Sequence, residues 1–141
     1  MRAIEIRAID HVVLRVRDVD RALRFWCGTL GCREERRLDE LGLVQLRAGA
    51  SLIDLVDVAG PLGRRGGVPP GEDGRNVDHV ALQLEAFDEA AIRAQLAADG
   101  VDSGEVSRVY GAEGMGPSLY VRDPDGNVVE LKGPGERRPA A

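Results

Sequence analysis

The chain has almost no material for disulfides: two cysteines, Cys27 and Cys32, in 141 residues. Two thiols five positions apart, across the end of a predicted helix, build neither a disulfide framework nor a zinc knuckle, and both are read as reduced thiols near the core. Long apolar runs are missing too. The N-terminus, MRAIEIRAIDH, alternates charged with apolar residues and has no hydrophobic signal core, and no stretch approaches the ~20 residues of a membrane span. A cytoplasmic protein with no membrane partner is expected. Nor is there a basic surplus. The 19 basic residues face 24 acidic ones, for a net charge of −5, and their interspersion leaves no basic face for a phosphate backbone, which argues against nucleic acid. Histidine is scarce as well, with two residues, so their placement is informative.

What the chain does have is an internal repeat. Ile9-Asp10-His11-Val12-Val13-Leu14 returns as Val77-Asp78-His79-Val80-Ala81-Leu82, in register over 68 positions. Both copies are rich in β-branched and aliphatic residues, and a helix signal follows each: Asp18 or Asp20 before ALRFWCGTLG, and Asp88 before EAAIRAQLAADG. Val19, Ala22, Leu23, Phe25, Trp26 and Leu30 make the core stripe of the first helix, and Ala90, Ala91, Ile92, Leu96 and Ala97 that of the second, with Gly31 and Gly100 as stops. Further strands are expected near 32–38, 42–48 and 51–57, then near 105–110, 117–122 and 127–132. The fold class is therefore α+β, two pseudo-symmetric β-α-β-β-β modules in one domain spanning residues 1–141: module one about 8–57, a linker about 58–76, module two about 77–132, and a tail 133–141. The linker (GPLGRRGGVPPGEDGRN over 60–76) is too rich in glycine and proline for a helix or central strand and reads as a linker or mobile loop.

The module ends correspond too, Ser51-Leu52-Ile53-Asp54-Leu55 matching Asn127-Val128-Val129-Glu130-Leu131. A carboxylate flanked by aliphatic residues in a strand points to the face opposite its neighbours. An inward carboxylate in an otherwise apolar sheet is costly unless paired or bound to a cation. His11 and His79, at equivalent positions, with Glu130 and Asp54 supply such a cation site. Neutral imidazole and carboxylate suit one divalent ion such as zinc, nickel, cobalt, manganese or ferrous iron, and leave coordination positions open for a small-molecule substrate.

IDHVVLRVRDVDRALRFW with its following LG, the second VDHVAL, and the terminal segment Tyr120-Val121-Arg122-Asp123-Pro124-Asp125-Gly126-Asn127-Val128-Val129-Glu130-Leu131 resemble the vicinal oxygen chelate superfamily. That group includes glyoxalase I, extradiol dioxygenases, fosfomycin-resistance thiol transferases and bleomycin-binding proteins, and the resemblance covers about residues 8–132. It implies paired modules curled into a cupped mixed sheet around a metal, with His11, Asp54, His79 and Glu130 as ligands. It also implies a homodimer. In glyoxalase I-like members glutamate usually stands where Asp54 does. Arg15 falls where bacterial glyoxalase I carries an arginine for the glutathione carboxylate, but the asparagine expected just beyond the Asp54 strand is absent from Leu55-Val56-Asp57-Val58. Arg108 through Ser118 looks like the glycine-rich loop of glyoxalase-like proteins, with Arg108 and Tyr110 reaching a substrate, and Tyr120 is a further candidate contact.

The first functional expectation is a metal-dependent lyase or isomerase similar to lactoylglutathione lyase. There the metal would bind two adjacent substrate oxygens and stabilise an enediolate, with Glu130, or Asp54 after it, as the catalytic base. The alternatives are extradiol-type ferrous dioxygenase chemistry, metal-free drug binding, and thiol transfer.

Overall fold

Alternation in the first repeat segment becomes strand β1, His11–Val16, in which Leu14 and Val16 are fully buried while His11 and Val13 remain exposed. These details come from a computed structural model that describes residues 2–139. The Asp18 side chain then caps helix α1, Val19–Leu23, by accepting the Arg21 N–H at 3.0 Å, so Asp20 sits inside the first turn. The helix widens into a π-helical turn over Arg24–Thr29, in which the Leu30 N–H reaches back five residues to the Phe25 carbonyl at 2.9 Å. This turn brings Phe25 and Trp26 into the core, edge to face with ring centroids 5.6 Å apart. Gly31, at φ +79°, ends it.

Strands β2 (Arg33–Leu38), β3 (Leu43–Ala48) and β4 (Ser51–Asp57) complete a four-stranded mixed sheet ordered β1-β4-β3-β2, with β1 parallel to β4. Ile53 and Leu55 share the face of Leu14 and Val16, and with Val44 and Leu46 they cover α1 and Trp26. The second unit repeats the order. Strand β5 (Val80–Gln83), helix α3 (Glu89–Ala98) and strands β6 (Ser107–Gly111), β7 (Gly114–Arg122) and β8 (Val128–Lys132) give a sheet ordered β5-β8-β7-β6. The fold is thus α+β, built of two β-α-β-β-β modules. The chain divides into compact units at Pro70/Gly71, inside the linker. Among the described residues no helix is long and apolar enough to cross a membrane.

Three expectations change. The second helix buries Leu96 and half-buries Ile92, whereas Ala90, Ala91 and Ala97 are exposed. At about 100° per residue these alanines lie more than a quarter turn from the Ile92–Leu96 direction, so the predicted stripe was too wide. The glycine-rich stretch 108–118 is a β-hairpin, not a loop: Gly111 pairs with Gly114, whose φ of +85° closes the turn. The linker holds one short helix, α2 (Pro61–Arg64), with proline in its first turn. Arg15 anchors the segment after it, donating to the carbonyls of Gly63 (3.2 Å), Gly67 (3.2 Å) and Val68 (3.0 Å), while Arg17 donates to that of Pro70 at 2.7 Å. A side chain at Gly66 would collide with the Arg15 guanidinium.

Truncating Trp26, fully buried, to alanine should destabilise the protein by about 3–5 kcal/mol in urea unfolding. Burial, and then the neighbouring Cys27, pushes the Cys32 thiol up to about 11, and burial raises Cys27 as well. Since the thiolate is the reacting form, iodoacetamide labelling of native Cys32 should keep accelerating up to about pH 11 and be slow at pH 8. Rapid labelling at pH 8 would contradict its half-buried setting.

Candidate functional site

Each sheet turns one face toward its helix and carries polar groups on the other. In the first unit Val13 pairs with Asp54 and Asp54 with Gln45, so His11, Val13, Arg15, Asp54 and Gln45 share the face away from the helix. The flanking Ile53 and Leu55 point the opposite way, as their alternation with Asp54 requires. Asp54 is 4% exposed. Gln45 Nε2 donates to its Oδ2 at 3.2 Å, while Oδ1 is buried with no partner. His11 is exposed, and its Nδ1 hydrogen-bonds Asp10 Oδ1 at 2.7 Å. That bond, followed by the charge of Asp54, raises the His11 pKa above its ordinary value.

The second unit repeats this with a stronger pairing. Glu130, 5% exposed, lies opposite Tyr120 on β7 and Ala81 on β5, and His79 immediately precedes β5. The Tyr120 hydroxyl donates to Glu130 Oε1 at 2.9 Å, a bond that raises the Tyr120 pKa. His79 Nε2 lies 3.3 Å from the same Oε1. Its Nδ1 is 2.6 Å from Asp78 Oδ1, which holds the Asp78 carboxyl below its usual range. The Tyr120 ring meets the His79 ring edge-on at 5.7 Å.

The turn before β8 explains the Asp-Pro-Asp-Gly-Asn motif. Buried Asp123 accepts the N–H groups of Asp125 (2.9 Å) and Asn127 (2.7 Å) and the Asn127 side-chain amide (2.8 Å), and Gly126 takes φ +83°. Asn76 Nδ2 donates to Asn127 Oδ1 at 3.0 Å. The motif therefore fixes the entry of β8, and with it the position of Glu130, without entering the chemistry.

In both units a carboxylate only accepts, so the aspartate before each histidine holds the proton on Nδ1 and leaves Nε2 as the free nitrogen. At His79 the Nε2 faces a carboxylate oxygen, an arrangement satisfied by a proton on the ring nitrogen or by a cation between the two. At Asp54 a buried carboxylate oxygen has nothing to answer it. Imidazole nitrogens fixed by carboxylates, beside carboxylate oxygens short of partners, fit a divalent cation. Each unit carries half of the predicted donor set, and among the described residues no three His, Cys, Asp or Glu side chains gather within metal-holding distance.

Other expected contacts lie elsewhere. Arg15 shares the face of His11 but spends its guanidinium on the loop carbonyls. Arg108 and Tyr110 pair with Pro117 and Met115, which puts them on the helix-side face of β6, opposite to Glu130. The Tyr110 hydroxyl accepts from Arg137 at 3.1 Å. Tyr120 is the one predicted contact that touches the site. Gln45 was not foreseen, although it stands opposite Asp54 as Tyr120 stands opposite Glu130, and that correspondence was a usable signal.

The profile of the Glyoxalase/Bleomycin resistance protein/Dioxygenase superfamily matches residues 8–131. Among solved structures, a virulence protein of Salmonella typhimurium is 25% identical, with 93% of this chain and 99% of that one covered and a TM-score of 0.75. A lactoylglutathione lyase of Agrobacterium tumefaciens is 22% identical (92% and 95% covered, TM-score 0.67). An antibiotic-binding protein of a Streptomyces species is 23% identical (94% and 99% covered, TM-score 0.68). With a profile match running through both modules, from the start of the first histidine segment to the strand of Glu130, the chain belongs to the Glyoxalase/Bleomycin resistance protein/Dioxygenase superfamily.

Proposed function

We propose that the protein is a metal-dependent lyase or isomerase acting on a small substrate with adjacent oxygens, and that His11, Asp54, His79 and Glu130 hold its divalent ion. The observation that carries this reading is the confrontation of His79 Nε2 with Glu130 Oε1 at 3.3 Å while Asp78 holds the other ring nitrogen. The set needs donors from both units, whether of one chain or of two copies in a homodimer. Bound there, the ion would act as a Lewis acid, drawing electron density from the substrate oxygens and acidifying the C–H proton of the hydroxyl-bearing carbon.

The chain's own groups then have distinct tasks. Glu130 is the base: Tyr120 pins its Oε1, and Oε2, which takes no partner among the described residues, is the oxygen that collects the proton. Asp10 and Asp78 orient the imidazoles. Gln45 holds one oxygen of Asp54, and the other would be left for the ion. Because Arg15 is occupied by the loop, the position used for glutathione in bacterial glyoxalase I has no free guanidinium, so the substrate proposed is a small α-hydroxycarbonyl compound rather than a glutathione adduct. A metal-free binding role is the second reading, favoured by the ability of Tyr120 and His79 together to satisfy Glu130 Oε1.

Protein purified without chelator or affinity tag should contain about one zinc, nickel, cobalt, manganese or iron ion per chain. Glu130→Gln should lower turnover by roughly 10²–10⁴-fold and weaken metal binding, with an unchanged circular dichroism spectrum. Asp78→Asn should weaken metal affinity by about 10–100-fold. Metal-free protein that binds a hydrophobic drug as tightly as metal-loaded protein, with no turnover of any α-hydroxycarbonyl compound, would favour the second reading.

A further inference from the structure

Lys132 is the chain's one lysine, the rest of its 19 basic residues being arginine. Most of those arginines are exposed or half-buried, but Lys132 is 6% exposed. It follows Glu130 by two positions on β8, so it lies on the same face of the second sheet, opposite Ser118 on β7 and Gln83 on β5. Its side chain runs over a floor of glycines. A Cβ at Gly111 would stand 3.1 Å from Lys132 Cε, and one at Gly116 would stand 2.8 Å from Nζ. The ammonium occupies space that side chains at those two positions would deny it.

That ammonium has no partner. No carboxylate lies within ion-pair distance and no acceptor takes its hydrogens among the described residues. Glu130, the nearest acid along the strand, is held by Tyr120 and His79. Ser118 Oγ is fully buried and likewise unpartnered. A largely buried lysine opposite an orphaned hydroxyl is a pair that a negative group would complete.

The first module shows that the fold does not require this arrangement. The residue two positions after Asp54 is Val56, 4% exposed, and its partner on β3 is Leu43. An apolar pair serves where the second module has Lys132 and Ser118. The repeat is symmetric at its histidines and carboxylates and departs from symmetry here, at a cost to stability.

We propose that Lys132 and Ser118 form an anion subsite that receives the carboxylate of the substrate, roughly 6–7 Å along the strand from Glu130. This rests on the preceding reading only in taking the Glu130 face as the place where the substrate lies. It narrows the substrate to a small acid whose carboxylate sits one strand repeat away from the reacting carbon. A phosphate monoester would offer charge of the same sign.

A chain with a single lysine makes the test direct. Full-length protein grown on lysine labelled with ¹³C at Cε gives one lysine side-chain signal by NMR, to be titrated with acetate, inorganic phosphate and neutral acetamide against a chloride control. Acetate should move the signal to saturation and acetamide should not. Phosphate binding much more tightly than acetate would transfer the subsite to phosphoryl groups and overturn the carboxylate assignment. In Lys132→Met, acetate affinity followed at the Gly116 and Ser118 amides should fall by roughly thirtyfold or more, Lys132→Arg should restore part of it, and metal content should stay at the wild-type level. In Glu130→Gln the acetate response of Lys132 should persist, so failure of the metal reading would show in metal content alone. A lysine signal unmoved by either anion, or a Lys132→Met protein that binds acetate as tightly as wild type, would overturn the subsite. So would a Lys132→Met protein that cannot fold, since the ammonium would then serve the core.

Discussion

Two carboxylates buried in the middle of apolar strands constrain the rest of this structure. Asp54 and Glu130 are each almost completely removed from solvent, and a desolvated carboxylate costs several kcal/mol unless it is answered. The chain answers each only in part. One cross-strand donor, Gln45 in the first module and Tyr120 in the second, takes one oxygen, and an imidazole on the neighbouring strand segment is prepared by an aspartate at its far nitrogen. A purely structural pair would close on itself. Here Asp54 Oδ1 is left over, so at the first carboxylate the preparation runs beyond what the fold requires.

The parts of the protein far from these groups serve to hold them. Asp18 and Asp88 cap the helices that cover the apolar faces, and the π-helical turn adds the Phe25–Trp26 pair to the first core. Asp123 organises the turn that sets the register of β8. A slip of one residue there would exchange Glu130 for Val129 or Leu131 on the polar face and bury the carboxylate against the helix. The Asp-Pro-Asp-Gly-Asn motif thus serves the geometry of β8.

Features encoded by short-range alternation were legible in the sequence. The repeat of Asp-His segments located both first strands, the position of Ile53 and Leu55 around Asp54 gave the direction of that carboxylate, and Asp18, Gly31 and Gly100 bounded the helices. Features that depend on which strand lies next to which were not. Arg15 has the composition of a substrate contact, yet the loop after α2 folds back and uses its donors. Arg108 and Tyr110 were placed by their nearness in sequence to a glycine-rich stretch, and hairpin register turned them to the helix side. Gln45 is nine residues from Asp54 in a strand that reads as ordinary, and only antiparallel pairing shows that it holds the carboxylate.

Symmetry and its breaking therefore carry different information. Positions that match between the modules, His11 with His79, Asp54 with Glu130 and Gln45 with Tyr120, take equivalent places on their sheets, each around one buried carboxylate. Positions that differ depart from that arrangement. Val56 with Leu43 meets the ordinary requirement of a buried cross-strand pair, and Lys132 with Ser118 does not. On the proposed reading, a protein that duplicates one module to build a metal centre must still distinguish the two ends of an asymmetric substrate. It does so most cheaply on the same face, one strand repeat beyond the carboxylate, where a change of side chain leaves the donor set untouched.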